Sequence, residues 1–250
     1  MGEVVNLIPR PGEHVITIGQ NGSGKTFFNI WLLLRIPQAP IVIYDTKDEP
    51  KFRKLPASQL VETMEEALKL KEDRKIDYII VRPPVQMMRH PDILDDMLWV
   101  HYNEFRSCPA YIDEGFTFMM NGRAGPGMTA LLTRGRSRGI STIISAQRPV
   151  RLDRFIITEA KKAFVFRLVD RADRKRLDDI IPNYSDMVQP PKHGFYYFET
   201  GLETPILFKP IELDSMFDTG YSDDGGDHAS GDAGLINPDN DKSPNKHVWF

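Results

Sequence analysis

The sequence predicts an α/β fold with a mostly parallel central sheet flanked by helices. Short apolar runs rich in β-branched residues recur along the chain, and segments of helical period lie between them. A glycine-rich loop directly follows the first of these runs, which is typical of a strand that leads into a phosphate-binding turn. With 250 residues, of which 41% are hydrophobic, the chain is long enough to bury one sizeable core.

The apolar runs place the individual strands and helices. Strands are predicted at 14–19, 41–45, 77–82, 109–113, 141–147 and 162–168. A helix is predicted over 58–72, which has apolar residues on one face, and another from Pro91 through Phe105. Segments 194–199 and 205–209 indicate a β-hairpin that closes the domain.

One domain is expected over residues 1–217, followed by an acidic tail over 218–250 that contains too few apolar residues to fold. The charge is unevenly distributed: residues 211–250 contain nine acids and two lysines, whereas residues 123–176 contain fourteen Lys and Arg and four acids. The basic stretch suits phosphates of a nucleotide or of nucleic acid. The alternative is an ordinary solvated face with scattered ion pairs.

Several classes of protein are disfavoured by composition. The apolar run 27–34 is too short to span a bilayer and the N-terminus lacks a signal pattern, so a soluble intracellular protein without a transmembrane segment is expected. A single cysteine, Cys108, has no partner for an internal disulfide and is expected to be a small buried residue. The six histidines lack the spacing of a structural zinc site.

The glycine-rich loop satisfies G-x-x-x-x-G-K-[ST] between a strand and an apolar helix, the context in which this motif binds phosphates. Its backbone N–H groups and the following helix N-terminus would face the anion. The expected nucleotide-binding residues are Gly19, Gln20, Asn21, Gly22, Ser23, Gly24, Lys25 and Thr26. Lys25 would reach the β- and γ-phosphates, and the Thr26 hydroxyl would hold Mg²⁺.

The nucleotide is expected to be ATP. The tetrapeptide Thr46-Lys47-Asp48-Glu49 approaches the guanine-reading pattern [NT]-K-x-D, but it ends in Glu and follows the second strand, which is too early in the chain for that role.

Two acids and a glutamine follow other predicted strands. Asp113 suits a Mg²⁺ contact, and the adjacent Glu114 suits a base that accepts the proton of the attacking water. Gln147 ends the run 141–147, from which its amide would contact the γ-phosphate or hold the attacking water. The separation of Lys25 from Asp113 leaves room for intervening strands, as in the additional-strand, catalytic-glutamate class of P-loop ATPases with a RecA-like fold.

The segment that begins "RSRGISTIISAQRP" at Arg136 resembles the FtsK/HerA superfamily of ring-forming DNA pumps, through Arg-x-x-Gly-Ile, Gln-Arg-Pro and a later Asp-Arg ahead of Leu-Asp. "YDTKDE", residues 44–49, is similar to the Asp-x-Lys-Gly-Glu of HerA-like members, with Asp48 in place of glycine. The resemblance spans roughly residues 14–181. It implies that Arg136 is an arginine finger acting in a neighbouring subunit, with Arg134 and Arg138 as alternatives.

Within this superfamily, a chain whose phosphate loop begins at Gly19 resembles the genome-packaging ATPases of tailless, internal-membrane double-jelly-roll viruses. The resemblance implies a homo-oligomeric ring, hexameric as in the family, that pumps double-stranded DNA in the host cytoplasm or at a virion vertex. Residues 118–127, with the lone Arg123, are a candidate pore loop with glycines that would allow movement; the alternative is an ordinary surface loop.

Other readings remain open at this point. The terminal "HVWF" on the acidic tail would suit docking to a capsid or membrane protein. The alternative functions are a plasmid-transfer or chromosome-handling pump of the same superfamily, and a nucleotide-gated scaffold without motor activity. A recombinase or hexameric helicase fits the Gln-Arg-Pro context poorly.

Overall fold

The computed structural model describes residues 5–211, so the domain boundary at 217 and the predicted tail over 218–250 lie outside the described residues. The strands are β1 (His14–Ile18), β2 (Ile41–Tyr44), β3 (Ser58–Val61), β4 (Tyr78–Val81), β5 (Ala110–Ile112), β6 (Met119–Met120), β7 (Arg123–Ala124), β8 (Thr142–Ala146), β9 (Lys162–Phe166), β10 (Phe195–Glu199) and β11 (Ile206–Phe208). The helices are α1 (Lys25–Leu33), α2 (Met64–Leu70), α3 (Pro91–Glu104), α4 (Pro126–Arg134), α5 (Arg154–Thr158) and α6 (Arg171–Arg176).

Nine strands form one sheet in the order β11-β10-β9-β1-β8-β5-β2-β4-β3. The strands from β9 to β3 all pair in parallel, and β10 and β11 add an antiparallel hairpin at one edge. This architecture confirms the predicted mostly parallel sheet and its closing hairpin. The core strands read as continuous apolar runs because helices and loops cover both faces of the sheet.

The prediction of one helix over 58–72 is wrong. Residues Ser58–Val61 form β3, which pairs in parallel with β4 at the edge of the sheet, and the helix begins only at Met64. Thr63 caps that helix by accepting from the Glu66 N–H, and the Glu66 carboxylate accepts from the Thr63 N–H in return. The reciprocal cap fixes the start of α2 and leaves the preceding residues free to extend the sheet.

Aromatic packing under the first helix fixes α1 on the sheet. Phe28 contacts the rings of Phe164, Phe166 and Phe195, at centroid distances of 4.5, 5.6 and 4.9 Å. Such buried aromatic pairs stabilise beyond the apolar area that they remove from water. The packing holds the helix that carries Lys25 at its N-terminus against β9 and β10.

Because the strands around β1 run in parallel, the loops that follow β1, β2, β5 and β8 emerge at one edge of the sheet. These loops contain the residues singled out in the sequence, apart from the candidate finger arginines. Within residues 5–211, no helix has the length and apolar character required to cross a membrane.

Candidate nucleotide site

A cavity of about 220 Å³ opens at the carboxyl edge of the sheet. It is lined by residues 20–27, Lys47, Glu49, Lys51, Asp113 and Gln147. All four loops that emerge at this edge, after β1, β2, β5 and β8, therefore meet around one space. The structure brings together all the predicted nucleotide-binding residues except Gly19, which lies buried immediately beneath them.

The phosphate loop is held by backbone bonds to the neighbouring strands. The Gly19 N–H donates to the Ala146 carbonyl at 3.1 Å, and the Gln20 N–H donates to the Arg167 carbonyl at 3.2 Å. Gly24, at the N-cap of α1, has φ +93°, a conformation in which an L side chain is strained. The loop can therefore turn tightly enough for its N–H groups and the helix N-terminus to face an anion.

Lys25 and Asp113 are buried side chains of opposite charge that line the same cavity. Burial lowers the pKa of Lys25, and the nearby Asp113 opposes that shift. Burial also raises the pKa of Asp113 to about 6, with Lys47 and Lys25 opposing the shift. Each group is thus less stable in its charged form than in water, so each gains from a ligand of the opposite charge.

The residues present fit a magnesium ion. Asp113 and Thr26 line the same cavity, and a carboxyl group that burial disfavours as an anion is restored to its charged form by a cation beside it. Within residues 5–211 no group of three or more His, Cys, Asp and Glu is arranged to hold a metal. A site with one carboxylate and one hydroxyl is typical of Mg²⁺, which takes most of its remaining ligands from phosphate oxygens and water.

Sequence reasoning missed two residues that position Asp113. The Tyr111 hydroxyl donates to Asp113 Oδ1 at 3.4 Å and accepts from Asn29 Nδ2 at 2.9 Å. Asn29 lies on α1 and Tyr111 on β5, and both are completely buried. The alternation of β5 placed Tyr111 and Asp113 on the same face, which could have identified the tyrosine; nothing in the sequence paired it with Asn29.

Glu114 is buried with both carboxylate oxygens engaged. Its Oε1 accepts from the Gln147 backbone N–H at 3.2 Å, and its Oε2 accepts from the Lys47 ammonium. Glu114 also has φ +60°, which is uncommon for a residue other than glycine and is found disproportionately at functional sites. The two residues predicted to act on the attacking water are therefore in direct contact, and Lys47 is a further member of the site that the sequence did not identify.

Gln147 is placed by the residues that follow it. The guanidinium of Arg148 is ion-paired with both Asp170 and the buried Asp173, and Asp173 also accepts from the Val150 N–H at 3.1 Å. These contacts fasten the end of β8 to α6. The arginine of the Gln-Arg-Pro sequence, Arg148, therefore has a structural role in this protein.

The candidate finger arginines lie at the opposite edge of the sheet, just before β8 begins. Arg136 is exposed beside a cavity of about 480 Å³ that also includes His14, at the start of β1. Arg138 stacks over the Tyr102 ring at 4.1 Å and donates to the carbonyls of Tyr102 and Asn103, so its guanidinium is occupied in holding the end of α3. Arg136 and Arg134 remain as exposed candidates.

The candidate pore loop contains a two-stranded hairpin, β6 and β7, with Asn121 and Gly122 at its turn. Both turn residues have positive φ, 50° and 77°, as a tight hairpin turn of this kind requires. Arg123 is exposed next to the turn. Ala124 donates its N–H to the Asp153 carboxylate at 3.0 Å, which anchors the hairpin to the N-cap of α5.

Of the glycines in this loop, Gly125 and Gly127 pack closely against α3, whereas a Cβ at Gly122 would meet nothing within 4 Å; that the glycines allow movement stays a prediction. A Cβ at Gly125 would lie 2.5 Å from the Asp95 side chain, and a Cβ at Gly127 would lie 2.1 Å from the Asp95 carbonyl. The Asp95 carboxylate, from α3, accepts from the N–H groups of Gly127 and Met128 at 2.7 and 2.9 Å. The start of α4 is therefore held firmly on α3.

Comparisons with known proteins agree with this fold. The DNA packaging ATPase P9 of Enterobacteria phage PRD1 is 27% identical over 222 residues, covering 82% of this chain and 89% of P9. The genome packaging NTPase B204 from Sulfolobus turreted icosahedral virus 2, solved in complex with ATP-gammaS, is similar with a TM-score of 0.65 at 16% identity, covering 82% of this chain and all of B204.

A second solved structure, the DNA-packaging ATPase B204 from Sulfolobus turreted icosahedral virus, gives a TM-score of 0.64 at 20% identity over 82% of this chain and all of that one. No protein-family model matches the chain. The likeness to the two solved structures confirms the fold, and the relative P9 confirms the resemblance to genome-packaging ATPases inferred from the sequence.

Proposed function

We propose that this protein is an ATPase that drives double-stranded DNA of a viral genome into a preformed capsid. The observation that carries the proposal is the convergence of Lys25, Thr26, Asp113 and Gln147 on one cavity, with Glu114 directly behind it, in a chain similar to a DNA packaging ATPase. A protein that only bound ATP as a scaffold would have no use for a buried acid beside the phosphate site.

In the proposed site, Lys25 and the N–H groups of the phosphate loop bind the β- and γ-phosphates. Thr26 and Asp113 would hold Mg²⁺, which would supply positive charge beside the phosphate oxygens. Glu114 accepts the proton of the attacking water, and the Gln147 amide orients that water. The Asn29–Tyr111 pair keeps Asp113 directed at the cavity.

The position of the candidate finger Arg136 supports a proposed ring assembly. Arg136 lies at the amino-terminal edge of the sheet, whereas its own ATP cavity lies at the carboxyl edge. A finger must neutralise charge on the transferring phosphoryl group, so Arg136 serves the site of an adjacent copy. We infer a homo-oligomeric ring, hexameric by resemblance, with ATP sites between subunits.

The β6–β7 hairpin is the proposed DNA contact. Its exposed Arg123 would bind a backbone phosphate without reading sequence, as a packaging motor requires. The hairpin follows Glu114 by way of the turn Gly115–Phe118, so a change in the position of Glu114 is transmitted to it along a short stretch of chain. The acidic tail and its terminal aromatics, which lie outside the described residues, remain a proposed docking segment for a capsid or membrane protein at the virion vertex or in the host cytoplasm.

Steady-state ATP hydrolysis tests the proposal. Turnover of the full chain is measured with and without long double-stranded DNA, at low and high salt, for wild type, for Glu114→Gln and for the surface control Lys69→Met. We expect DNA to stimulate wild type and the control, high salt to weaken the stimulation, and Glu114→Gln to lose turnover while it still binds ATP. ATP binding without turnover under every condition would favour the scaffold alternative.

A further inference from the structure

The loop after β2 is built around a buried carboxylate. Asp45 is fully buried and accepts from the N–H groups of Lys47 and Glu49, at 3.1 and 3.2 Å, and from the Arg82 guanidinium. Arg82 in turn reaches Asp48 at 2.6 Å. A carboxylate that binds the N–H groups of the residues two and four positions later fixes the loop in a turn. The backbone of Lys47 is therefore held in one position beside the phosphate cavity.

Lys47 has two sources of negative charge within reach. Its ammonium contacts Glu114 Oε2, and the same side chain lines the cavity where Lys25 and Thr26 would bind a triphosphate. The side chain of Lys47 is 37% exposed, whereas that of Glu114 is 5% exposed. An ion pair with one solvated partner is weak enough to exchange, because water screens it, and a fully buried pair would be too costly to separate.

The pairing also engages the carboxylate that is proposed to act as the general base. One Glu114 oxygen accepts from the Gln147 N–H and the other from the Lys47 ammonium, so both carboxylate oxygens already accept a hydrogen bond in this arrangement. The γ-phosphate of ATP adds negative charge at the cavity that ADP does not supply. The two nucleotides should therefore act differently on Lys47.

We propose that Lys47 is a positioning residue that senses the γ-phosphate: ATP draws its ammonium from Glu114 to the γ-phosphate and frees the carboxylate to accept the proton of water. ADP leaves the Lys47–Glu114 pair in place, which keeps the acid engaged when no γ-phosphate is present. This inference rests on the proposed ATPase function and assigns a role to the loop over residues 44–49.

A double-mutant cycle on nucleotide affinity tests the exchange. The Kd of a non-hydrolysable ATP analogue and the Kd of ADP are measured with Mg²⁺ for the full-length wild type, Glu114→Gln, Lys47→Met and the double variant. In wild type, ATP must break the pair before it gains Lys47; in Glu114→Gln the ammonium is already released. We expect Glu114→Gln to tighten binding of the ATP analogue about tenfold when Lys47 is present and less than about twofold in the Lys47→Met background.

The controls separate the exchange from general effects. Loss of the Glu114 charge also reduces repulsion of the γ-phosphate, but that effect is the same in both backgrounds and cancels in the cycle. ADP affinity should change less than about twofold in all four proteins, which also reports that they are folded. Lys47→Arg should retain the coupling because it keeps the cation, and Lys69→Met, which removes an exposed lysine paired with Glu65, should behave as wild type.

An equal effect of Glu114→Gln in the presence and absence of Lys47 would overturn the proposal. So would equal weakening of ATP analogue and ADP by Lys47→Met, since that would give Lys47 a structural role only. This test and the test of the proposed function can fail separately. If Lys47 and Glu114 are coupled in the cycle but DNA does not stimulate hydrolysis, this inference stands and the motor function is rejected. If the wild type binds no ATP, both are rejected.

Discussion

Arg136 is expected to act only on the ATP site of a neighbouring subunit. The two edges of the sheet are separated by β1, which spans about 16 Å at roughly 3.3 Å per residue, and an extended arginine side chain covers about half of that distance. The prediction is tested by mixing two variants that are expected to be inactive: Glu114→Gln, which lacks the proposed general base, and Arg136→Ala, which lacks the proposed finger.

The expected magnitude follows from counting interfaces. In rings assembled at random from equal amounts of the two variants, about a quarter of the interfaces join an intact Glu114 to an intact Arg136, so turnover should reach about a quarter of the wild-type rate if sites fire independently. The turnover of each variant alone should be lower than that of wild type by roughly a hundredfold or more.

The assay is phosphate release at saturating DNA after the two proteins have exchanged subunits. Wild type mixed with Glu114→Gln calibrates independence, because about half of its interfaces stay intact. Arg134→Ala is the matched variant, since it removes the other exposed arginine of the same segment and should remain active. A mixture no more active than its separate components would refute action between subunits, and inactivation by Arg134→Ala alone would move the finger to that residue.

Three further results are expected. Asp95→Ala should lower the free energy of unfolding by about 2 kcal/mol, because two buried N–H groups at the start of α4 lose their acceptor; Asp96→Ala is the control, and equal losses in denaturant titrations would contradict this. Burial lowers the pKa of His101 from 6.5 to about 4, so the unfolded chain takes up a proton first and the free energy of unfolding should fall by about 3 kcal/mol as the pH drops from about 6.5 to about 4. The same titration of His101→Gln should show a flatter pH dependence, and parallel curves would rule out this source. Arg123→Ala should reduce the slope of log Kobs for DNA against log salt by about 0.9, the contribution of one phosphate contact, whereas Lys69→Ala should leave it unchanged.

The strands next to β1 could be predicted because their residues are buried on both faces, so continuous apolar runs mark them without knowledge of their partners. The phosphate loop could also be predicted from the sequence, because its residues act within one short segment. The edge strand β3 was predicted as part of a helix, because Leu60 and Val61 also fit the helical period of Met64 and Ala67. The Thr63 and Glu66 capping pair was visible in the sequence and would have moved the start of the helix.

Within the site, contacts between distant segments escaped prediction. Lys47 and Glu114 meet because β2 and β5 are neighbours in the sheet although other strands and helices intervene in sequence. Arg138 could not be separated from Arg136 by sequence, because its removal from the candidates depends on Tyr102, which α3 brings beneath it. Local motifs identified the candidate catalytic groups, and the strand order determined which of them are in contact.

The segment from Glu114 to Arg136 carries the proposed catalytic carboxylate at one end, the β6–β7 hairpin in its middle and the proposed finger at the other end. Its middle is fastened to α5 and its last helix to α3, so little slack remains between the two ends. In the proposed ring, each subunit would therefore contribute one tether that links its own ATP, the DNA and the next subunit's ATP. Hydrolysis at successive sites would then be coordinated mechanically. Force on the DNA would pass through the hairpin to Arg136 and so affect hydrolysis in the neighbouring subunit.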